Sequence, residues 1–338
     1  MTNLDKVARV AGVSRTTVSR YLNRSGYVSQ EAAQRIEMAI NQLGYLPNRI
    51  AKSLVIKKTL NIALVVSDIS NPITASYTKG VEDEAFERGY NVILCNTGFD
   101  LEREQRVVRV LLEKQIDGII IAPCRKGEDH ILEIQKRGIP IVFLTRRVQN
   151  VAADYVHFDY VGGSFQIVEY LIQKGHRRIG VFSPPVPPWE QEERIHGYLK
   201  ALEAYGIPFD PSLVVVAEAV EGVAYRKIRE LLNLSQPPTA VFTAVNLFAK
   251  DIIRFCREHG INIPEDLSLA SFEQFPHYDS VILPSLLANE MPAYELGRKA
   301  AEVLFERILG GDKGWRPKNI VLKGGVREGN SVKSITSV

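Results

Sequence analysis

From Asn61 onward, short apolar runs alternate with amphipathic stretches of helical spacing, and this alternation limits the fold more than any other feature of the chain. A run that is apolar throughout is typical of a parallel strand covered by helices on both faces. The predicted strands are Ile62–Val66, Val92–Cys95, Gly118–Ala122, Ile141–Leu144, Ile179–Phe182, Val214–Val216, Ala240–Thr243 and Leu267–Phe272. The predicted helices are Ser76–Arg88, Leu101–Lys114, Gly162–Lys174, Glu192–Tyr205, Glu221–Leu232 and Leu247–His259. We therefore expect an α/β fold with doubly wound parallel sheets.

The number of predicted strand–helix units exceeds what one sheet comfortably holds, so the pattern favours two lobes. Two turn-rich segments, near Asp159 and at Ser285–Pro292, interrupt the alternation and are the predicted crossings between the lobes. Residues 1–45 differ, because their apolar residues recur at helical spacing in three short stretches separated by Gly12 and by the Ser25-Gly26 loop. The sequence thus predicts a small all-α domain followed by a larger α/β core.

The small N-terminal domain and the larger core also differ in net charge. Residues 1–60 hold ten Lys and Arg but only three acids, a net charge of +7, whereas the whole chain has a net charge of +3. A basic segment joined to a mildly acidic body is typical of a nucleic-acid reader attached to another module. A basic solvated surface is the alternative interpretation, and charge alone does not decide between the two.

The remaining composition excludes several classes of protein. The three cysteines are too few and too widely spaced for a disulfide framework or a Cys-based zinc site, and they suit a reducing compartment. Apolar runs fall far short of the ~20 residues that a membrane-spanning helix needs. The first residues, MTNLDKVARV, lack the apolar segment of a secretory signal. We therefore expect a cytoplasmic protein with no membrane partner.

The segment Ala11 to Ser14 has the character of a helix-turn-helix turn, in which Gly12 permits a tight bend between two short helices. The second helix would turn its polar residues outward while Val18 and Leu22 point inward. Its outward residues are Arg15, Thr16, Thr17, Ser19 and Arg20. Side chains of these types can read base edges in the major groove of DNA. An ordinary three-helix bundle with a basic surface remains the alternative at this point.

The segment NLDKVARVAGVSRTTVSRYLNRSGYVSQEAAQRIEMAINQLGYLPNRIAKSL resembles the DNA-binding head and hinge of the LacI/GalR family of bacterial repressors. The resemblance continues through VSDISNP, KGHRRIGVF, PTAVFTA, IPEDLSLASF and ELGRKAAEVL, and so covers nearly the whole chain. It implies a helix-turn-helix head, a hinge helix, and a two-lobed periplasmic-binding-protein-like core that dimerises and holds an effector. The implied boundaries are 1–46 for the head, 47–60 for the hinge, 61–159 and 291–318 for lobe 1, and 160–290 and 319–331 for lobe 2, within a core of 61–338.

The same resemblance implies roles for individual residues toward DNA. Arg15, Thr16 and Arg20 match the positions that read bases in the major groove. The positions that contact phosphates or nearby bases are Ser14, Thr17, Ser19, Asn23 and Tyr27. Asn48 and Arg49 begin the implied hinge helix, and Leu54 matches a leucine that is wedged into the minor groove. The chemistry agrees, since arginine binds guanine with two hydrogen bonds, hydroxyls bind phosphate, and an apolar wedge unstacks a base step.

The implied effector site is where this chain differs most from the family. The matched positions are Ile73, Thr74, Arg146, Asp159, Tyr160, Arg194, Asn246 and Glu273. Asn246 replaces the usual acid of an Ala-Asn-Asp motif, and Glu273 stands in a segment that is usually Gly-Phe-Asp-Asp. Retained arginines favour an acidic effector, such as a sugar acid or a phosphorylated sugar, because arginine pairs with carboxylate and phosphate. Glu273 opposes this interpretation unless it pairs with an arginine. An equal alternative for Arg146 and Arg147 is that both are solvated surface charges.

The sequence as a whole predicts a homodimeric transcription repressor that binds palindromic double-stranded operator DNA under the control of a small-molecule effector. A solute-binding protein or an enzyme on the same α/β core is the rival interpretation. A nucleophile motif such as Gly-x-Ser-x-Gly is absent from the sequence, and the six histidines lack metal-binding spacing. We therefore expect neither catalysis nor a metal or cofactor. A catabolite-control regulator that binds a phosphorylated carrier protein is a further alternative, which the segment ELGRKAAEVLFERIL does not support.

Overall fold

The computed structural model describes residues 4–23, 25–45, 58–124, 127–148, 150–185, 188–273, 284–311 and 314–335, with the side chains of 188–192 excluded. The chain divides into two compact units, Met1–Thr59 and Leu60–Val338. The hinge residues Asn48, Arg49 and Leu54 lie outside the described residues. Among the described residues, no helix combines the length and the apolar character that a membrane crossing requires.

The described residues of the first unit form three helices, α1 (Leu4–Ala11), α2 (Arg15–Asn23) and α3 (Gln30–Leu43). Val7, Val18 and Ile36, one from each helix, are fully buried together and form the centre of its small core. Gly12 has a φ of +65°, which explains why a residue without Cβ occupies the turn between α1 and α2. The hydroxyl of Ser29 caps α3 by accepting a hydrogen bond from the backbone amide of Ala32.

The second unit contains two six-stranded sheets covered by helices. The elements related to the first sheet are β1 (Asn61–Val66), α4 (Pro72–Glu87), β2 (Asn91–Asn96), α5 (Leu101–Glu113), β3 (Gly118–Ile121), α6 (Asp129–Lys136), β4 (Ile141–Leu144), β5 (Asp154–Phe158), α11 (Ala293–Gly310) and β11 (Asn319–Leu322). Its strand order is β11-β5-β4-β3-β1-β2, and every neighbouring pair is parallel.

The second sheet has the same winding. Its elements are α7 (Tyr160–Gln173), β6 (Ile179–Ser183), α8 (Pro188–Ala204), a 3-10 turn (Pro211–Leu213), β7 (Val214–Val216), α9 (Val223–Leu232), β8 (Ala240–Thr243), α10 (Asn246–Glu258), β9 (Ser268–Ser271), β10 (Leu287–Glu290) and β12 (Gly325–Arg327). The order is β12-β10-β9-β8-β6-β7, parallel except for the pair β10 and β12. Buried residues on both faces of each sheet form the core, which confirms the expected class of doubly wound α/β lobes.

The chain passes between the two lobes three times. It leaves the first sheet after Phe158, returns between Glu290 and Ala293, and crosses again between Leu322 and Gly325. The structure differs here from the lobe division expected from sequence, which placed the whole of 319–331 in the second lobe. Strand β11 pairs with β5 in the first sheet instead, and β12 alone belongs to the second. Two short strands separated by two residues give no sequence signal of a crossing, which accounts for the error.

Candidate functional site

The helix α2 presents a polar face on the first unit. Arg15, Thr16 and Arg20 are exposed, whereas Val18 on the opposite face is buried against α1 and α3. The helix begins at Arg15 because the Ser14 hydroxyl accepts a hydrogen bond from the Thr17 amide at 3.1 Å. Such a helix presents hydrogen-bond donors of different lengths on one side, which is the arrangement needed to contact base edges in the major groove of DNA.

The polar residues around this face are partly engaged with one another. The hydroxyls of Ser14 and Thr17 are 2.8 Å apart, and Asn23 Nδ2 donates to the Ser19 hydroxyl at 3.3 Å. Tyr27, in the loop before α3, is 89% exposed. Ser14 therefore has a structural role as a helix cap in addition to any contact with phosphate. The contacts of these residues with DNA stay predictions.

A second group of residues, predicted for the effector site, lies in the core where strands of both sheets end. Ile73 and Thr74 follow β1, Arg146 follows β4, and Asn246 and Glu273 follow β8 and β9. The carboxyl ends of parallel strands lie at one edge of a sheet, and ligands of open α/β sheets bind in the crevice outside that edge. This arrangement defines the candidate cleft between the lobes.

Arg194 and Glu273 form the centre of the cleft on the lobe 2 side. Arg194 Nη2 lies 3.6 Å from Glu273 Oε1, and the two side chains are only 8% and 10% exposed. The guanidinium lies over the rings of Tyr160 and Phe272, with its carbon 4.8 Å and 5.0 Å from the two centroids. Two aromatic faces and one carboxylate thus hold the cation in a fixed orientation. Its Nε is buried without a hydrogen-bond partner among the described residues.

Asn246 joins this cluster through its backbone. Its amide N–H donates to Glu273 Oε2 at 3.3 Å, and it is the first residue of α10. The Glu273 carboxylate therefore lies at a helix N-terminus, where backbone N–H groups stabilise negative charge. Four residues predicted for the effector site, Tyr160, Arg194, Asn246 and Glu273, are brought together in this way.

The lobe 1 side of the cleft contains Thr74, which the sequence predicted for the effector site, and Tyr77, which the sequence analysis missed. Tyr77 Oη donates to the Thr74 hydroxyl at 3.1 Å, and both residues are buried. Burial is the main cause that raises the pKa of Tyr77 to about 12, while the charges of Arg146 and Glu273 act on it in opposite directions. Tyr77 is therefore within electrostatic range of both walls. Its spacing of four residues from Ile73 on one helix was the available sequence signal.

The two arginines that follow β4 have different surroundings. Arg146 Nη1 donates to the Pro123 carbonyl at 3.4 Å, and its guanidinium lies over the ring of Phe99. Arg147 is exposed and lies over the ring of Tyr155 instead. Arg147 is therefore the more solvated of the two arginines. The effector role of Arg146 stays a prediction.

Asp159 occupies the first crossing between the lobes and caps α7. Its Oδ1 accepts a hydrogen bond from the Gly162 amide at 2.8 Å. This contact gives Asp159 a structural role that the sequence analysis did not include. The neighbouring Tyr160 is buried and packs against Phe272, with the ring centroids 5.5 Å apart.

A buried carboxylate, also missed by the sequence analysis, supports the Arg146 wall. Glu104 is fully buried and accepts from the Cys124 amide at 2.7 Å, while its other oxygen lies 2.7 Å from His130 Nε2. These bonds fix the segment whose Pro123 carbonyl binds Arg146. Burial, together with the Glu104 charge, raises the pKa of the Cys124 thiol to about 12. Within the described residues, no group of His, Cys, Asp and Glu is arranged to hold a metal ion.

Comparison with known proteins identifies both units. Residues 3–48 match the family of bacterial regulatory proteins of the lacI family, and residues 59–324 match the periplasmic binding proteins and sugar binding domain of the LacI family. The chain is 31% identical over 304 residues to the HTH-type transcriptional repressor CytR of Escherichia coli (strain K12), covering 90% of this chain and 89% of CytR.

Solved structures agree with this assignment. The transcriptional regulator CelR in complex with cellobiose has 29% identity and a TM-score of 0.73, over 98% of this chain and 100% of CelR. The lac repressor dimer bound to operator and the anti-inducer ONPF has 23% identity and a TM-score of 0.85, over 98% and 99% of the two chains, and supports the fold. These relatives are transcription regulators and not enzymes. The protein is therefore a member of the LacI family of DNA-binding transcription regulators.

Proposed function

We propose that the protein is a homodimeric repressor that binds a palindromic operator through α2 of each head and is controlled by an anionic sugar in the cleft. The observation that carries the effector part is a second arginine, Arg146, which follows β4 on the wall opposite the Arg194–Glu273 pair. Family membership supports DNA binding and effector control. The identity of the effector, the operator symmetry and the dimer are our proposals.

The charges of the cleft residues suggest which part of the ligand each wall would bind. Glu273 compensates the charge of Arg194, so this pair offers a donor and an acceptor that suit sugar hydroxyls. Arg146 lies on the other wall, and its guanidinium suits a carboxylate or a phosphate on the same ligand. The partly desolvated setting strengthens each of these contacts, since charged hydrogen bonds are stronger away from water. The ligand class that satisfies both walls is a sugar acid or a phosphorylated sugar.

A neutral sugar is the second candidate, and the same ion pair favours it. With its charge compensated by Glu273, Arg194 does not require an anionic ligand. The related CelR structure contains cellobiose, which is an uncharged disaccharide. The two candidates differ in what Arg146 does, because only an anionic sugar offers that side chain a carboxylate or a phosphate.

A thermal-shift screen with matched pairs of sugars separates the candidates. The probes are glucose, glucose 6-phosphate, gluconate, ribose and ribose 5-phosphate, added to wild type, Arg194→Ala, Arg146→Ala and Arg147→Ala. We expect an anionic member of a pair to raise the melting temperature of wild type and of Arg147→Ala, which is the matched control outside the cleft. The shift should be lost in Arg194→Ala and in Arg146→Ala. Stabilisation by neutral sugars alone, undiminished in Arg146→Ala, would contradict the anionic proposal and support the neutral one.

The proposed dimer rests on exposed apolar side chains of lobe 1. Phe86 on α4 is 77% exposed, and Leu94 on the edge strand β2 is 45% exposed. The corresponding edge strand of lobe 2, β7, leaves Val216 exposed as well. Edge strands with exposed apolar side chains are normally covered, and a second copy of the chain supplies the cover in this proposal.

A further inference from the structure

Helix α2, which carries the proposed base-reading residues, forms an ion pair with the preceding helix α1. Arg15, the first residue of α2, places its Nη1 3.6 Å from Oδ1 of Asp5, which lies in the first turn of α1. Both side chains are largely exposed, at 69% for Arg15 and 53% for Asp5. An acid is therefore placed on the face of the head that carries the proposed base-reading arginines.

Stability does not account for this placement. An exposed ion pair contributes about 0–1 kcal/mol, because water and salt screen it. An acid in the first turn of a helix also interacts favourably with the helix dipole, but that benefit does not depend on which side the acid faces. Against these small gains stands a cost, since a carboxylate beside the DNA repels the phosphates that the rest of the head attracts. The first 60 residues contain just three acids, the other two being Glu31 and Glu37.

The geometry gives the carboxylate a chemical use. A guanidinium is planar and has five N–H donors, so a carboxylate that takes one edge leaves another edge free for two parallel hydrogen bonds. That free edge matches N7 and O6 of guanine in the major groove. The carboxylate also limits the directions that the long arginine side chain can adopt, and it opposes a swing of that side chain toward a phosphate.

We propose that Asp5 is a specificity-determining residue of the head, which positions Arg15 to read guanine rather than to neutralise phosphate. This inference rests on the proposed base-reading role of Arg15. It predicts that Asp5 contributes to discrimination at one base pair of each half-site while lowering the affinity for DNA of any sequence. A purely structural role of Asp5 would alter neither of these properties selectively.

The test is operator selection from a randomised duplex library with the full-length chain. The proteins are wild type, Arg15→Ala, Asp5→Asn, Asp5→Glu and the control Glu31→Gln, which removes a first-turn acid from α3. We expect wild type to select guanine at a position that Arg15→Ala no longer discriminates. At that same position the preference of Asp5→Asn for guanine should be about threefold to tenfold weaker than that of wild type, which is a part of the discrimination that a bidentate contact supplies. Asp5→Glu should recover part of it, and Glu31→Gln should retain all of it.

Affinity for a duplex of unrelated sequence provides the second readout, and Asp5→Asn should bind that duplex more tightly than wild type, because a charge that repels phosphates is removed. If Arg15→Ala alters one position but Asp5→Asn leaves the preference intact there, the inference about Asp5 is wrong and the role of Arg15 stands. If Arg15→Ala alters no position, the base-reading role of Arg15 fails, and the inference fails with it. A melting temperature of Asp5→Asn close to that of wild type verifies that the head remains folded.

Discussion

At the scale of the residue, Arg194 is held in one orientation by its neighbours, before the ligand proposed for the cleft would bind. Tyr160, Phe272 and Glu273 restrict its guanidinium from three sides. Fixing a flexible arginine in advance removes part of the entropy cost that a ligand would otherwise meet. The same logic applies in the head, where Ser14 fixes the start of the helix that carries Arg20.

The first prediction at this scale concerns Arg20. Replacing Arg20 with alanine should weaken operator binding by about 1–3 kcal/mol and relax the preference at one base pair per half-site, because a bidentate base contact is lost. Fluorescence anisotropy with the selected operator and its single-base variants measures both effects. Arg9→Ala, which removes an exposed arginine of α1, is the control and should weaken binding to all sequences equally, if at all. A uniform loss for Arg20→Ala as well would assign Arg20 to a phosphate.

The second prediction at this scale concerns the implied hinge. Leu54→Ala should reduce affinity most for a palindrome with a pyrimidine–purine step at its centre, since that step unstacks most easily. Equal affinities of wild type and Leu54→Ala for such a palindrome would remove the proposed wedge. Melting curves of the two proteins should coincide, and so separate a binding defect from a folding defect.

At the scale of the element, the close crossing of α4 and α11 connects the cleft to the lobe core. A Cβ on Gly297 would overlap the backbone carbonyl of Tyr77, and a Cβ on Gly80 would overlap that of Tyr294. Backbone lies against backbone at this crossing because neither helix has a side chain there. Tyr77 in turn contributes to the cleft wall, so the crossing determines where that wall lies.

Gly297→Ala should therefore destabilise the protein by about 1–3 kcal/mol or more, as overpacking of a close contact does. Gly310→Ala is the matched control on the same helix, because nothing lies within 4 Å of the position of an added Cβ there. The control should leave stability unchanged or raise it slightly, since alanine favours a helix. Urea unfolding midpoints of Gly297→Ala and Gly310→Ala test this prediction. Equal midpoints would show that α4 and α11 can move apart with little loss in the free energy of unfolding.

A buried histidine makes the second lobe sensitive to acid. His176 is fully buried, with Nδ1 2.9 Å from the Thr239 hydroxyl and Nε2 3.2 Å from the carbonyl of Lys333. Burial lowers the pKa of His176 below its ordinary value. The unfolded chain therefore binds this proton more readily than the folded chain, so stability is complete above about pH 6.5 and falls as the pH drops toward the folded-state pKa.

The difference between urea midpoints at pH 7.5 and pH 5.5 should consequently be smaller for His176→Gln than for wild type. Part of the difference should remain, since burial lowers the pKa of His157 too. An identical pH dependence in the two proteins would mean that His176 takes up its proton without a cost to the fold.

At the scale of the whole molecule, the sequence predicted the architecture better than the site. The strands Ile141–Leu144 and Ala240–Thr243 lie within the predicted bounds, because a central strand is apolar on both faces. The strand β11 and the helix α6 were missed, since a half-exposed edge strand and a two-turn helix have little periodic signal. Pairings between distant residues, such as Arg194 with Glu273, depend on the tertiary fold and have no local signature in the sequence.

The proposed dimer also belongs to this scale. Leu94→Arg should shift the protein toward monomers of 37.9 kDa in sedimentation experiments, because a charge in an apolar interface is costly to bury. Leu309→Arg, on an exposed residue at the end of α11, is the control and should leave the mass unchanged. A mass of one chain for wild type at micromolar concentration would contradict the dimer, and a dimer that persists in Leu94→Arg would place the interface elsewhere.

The proposed function requires that a ligand bound in the cleft changes the affinity of the protein for operator DNA, and an operator titration measures this change. The selected operator duplex is titrated with wild type and with Arg194→Ala, each with and without the sugar that stabilises wild type in the thermal-shift screen. A ligand that binds one arrangement of the lobes better must change the DNA affinity, and so we expect a shift of about fivefold or more in wild type. Arg194→Ala should bind the operator as wild type does without sugar and should not respond to the ligand. An operator affinity that is the same with and without the stabilising sugar in wild type would contradict control through the cleft.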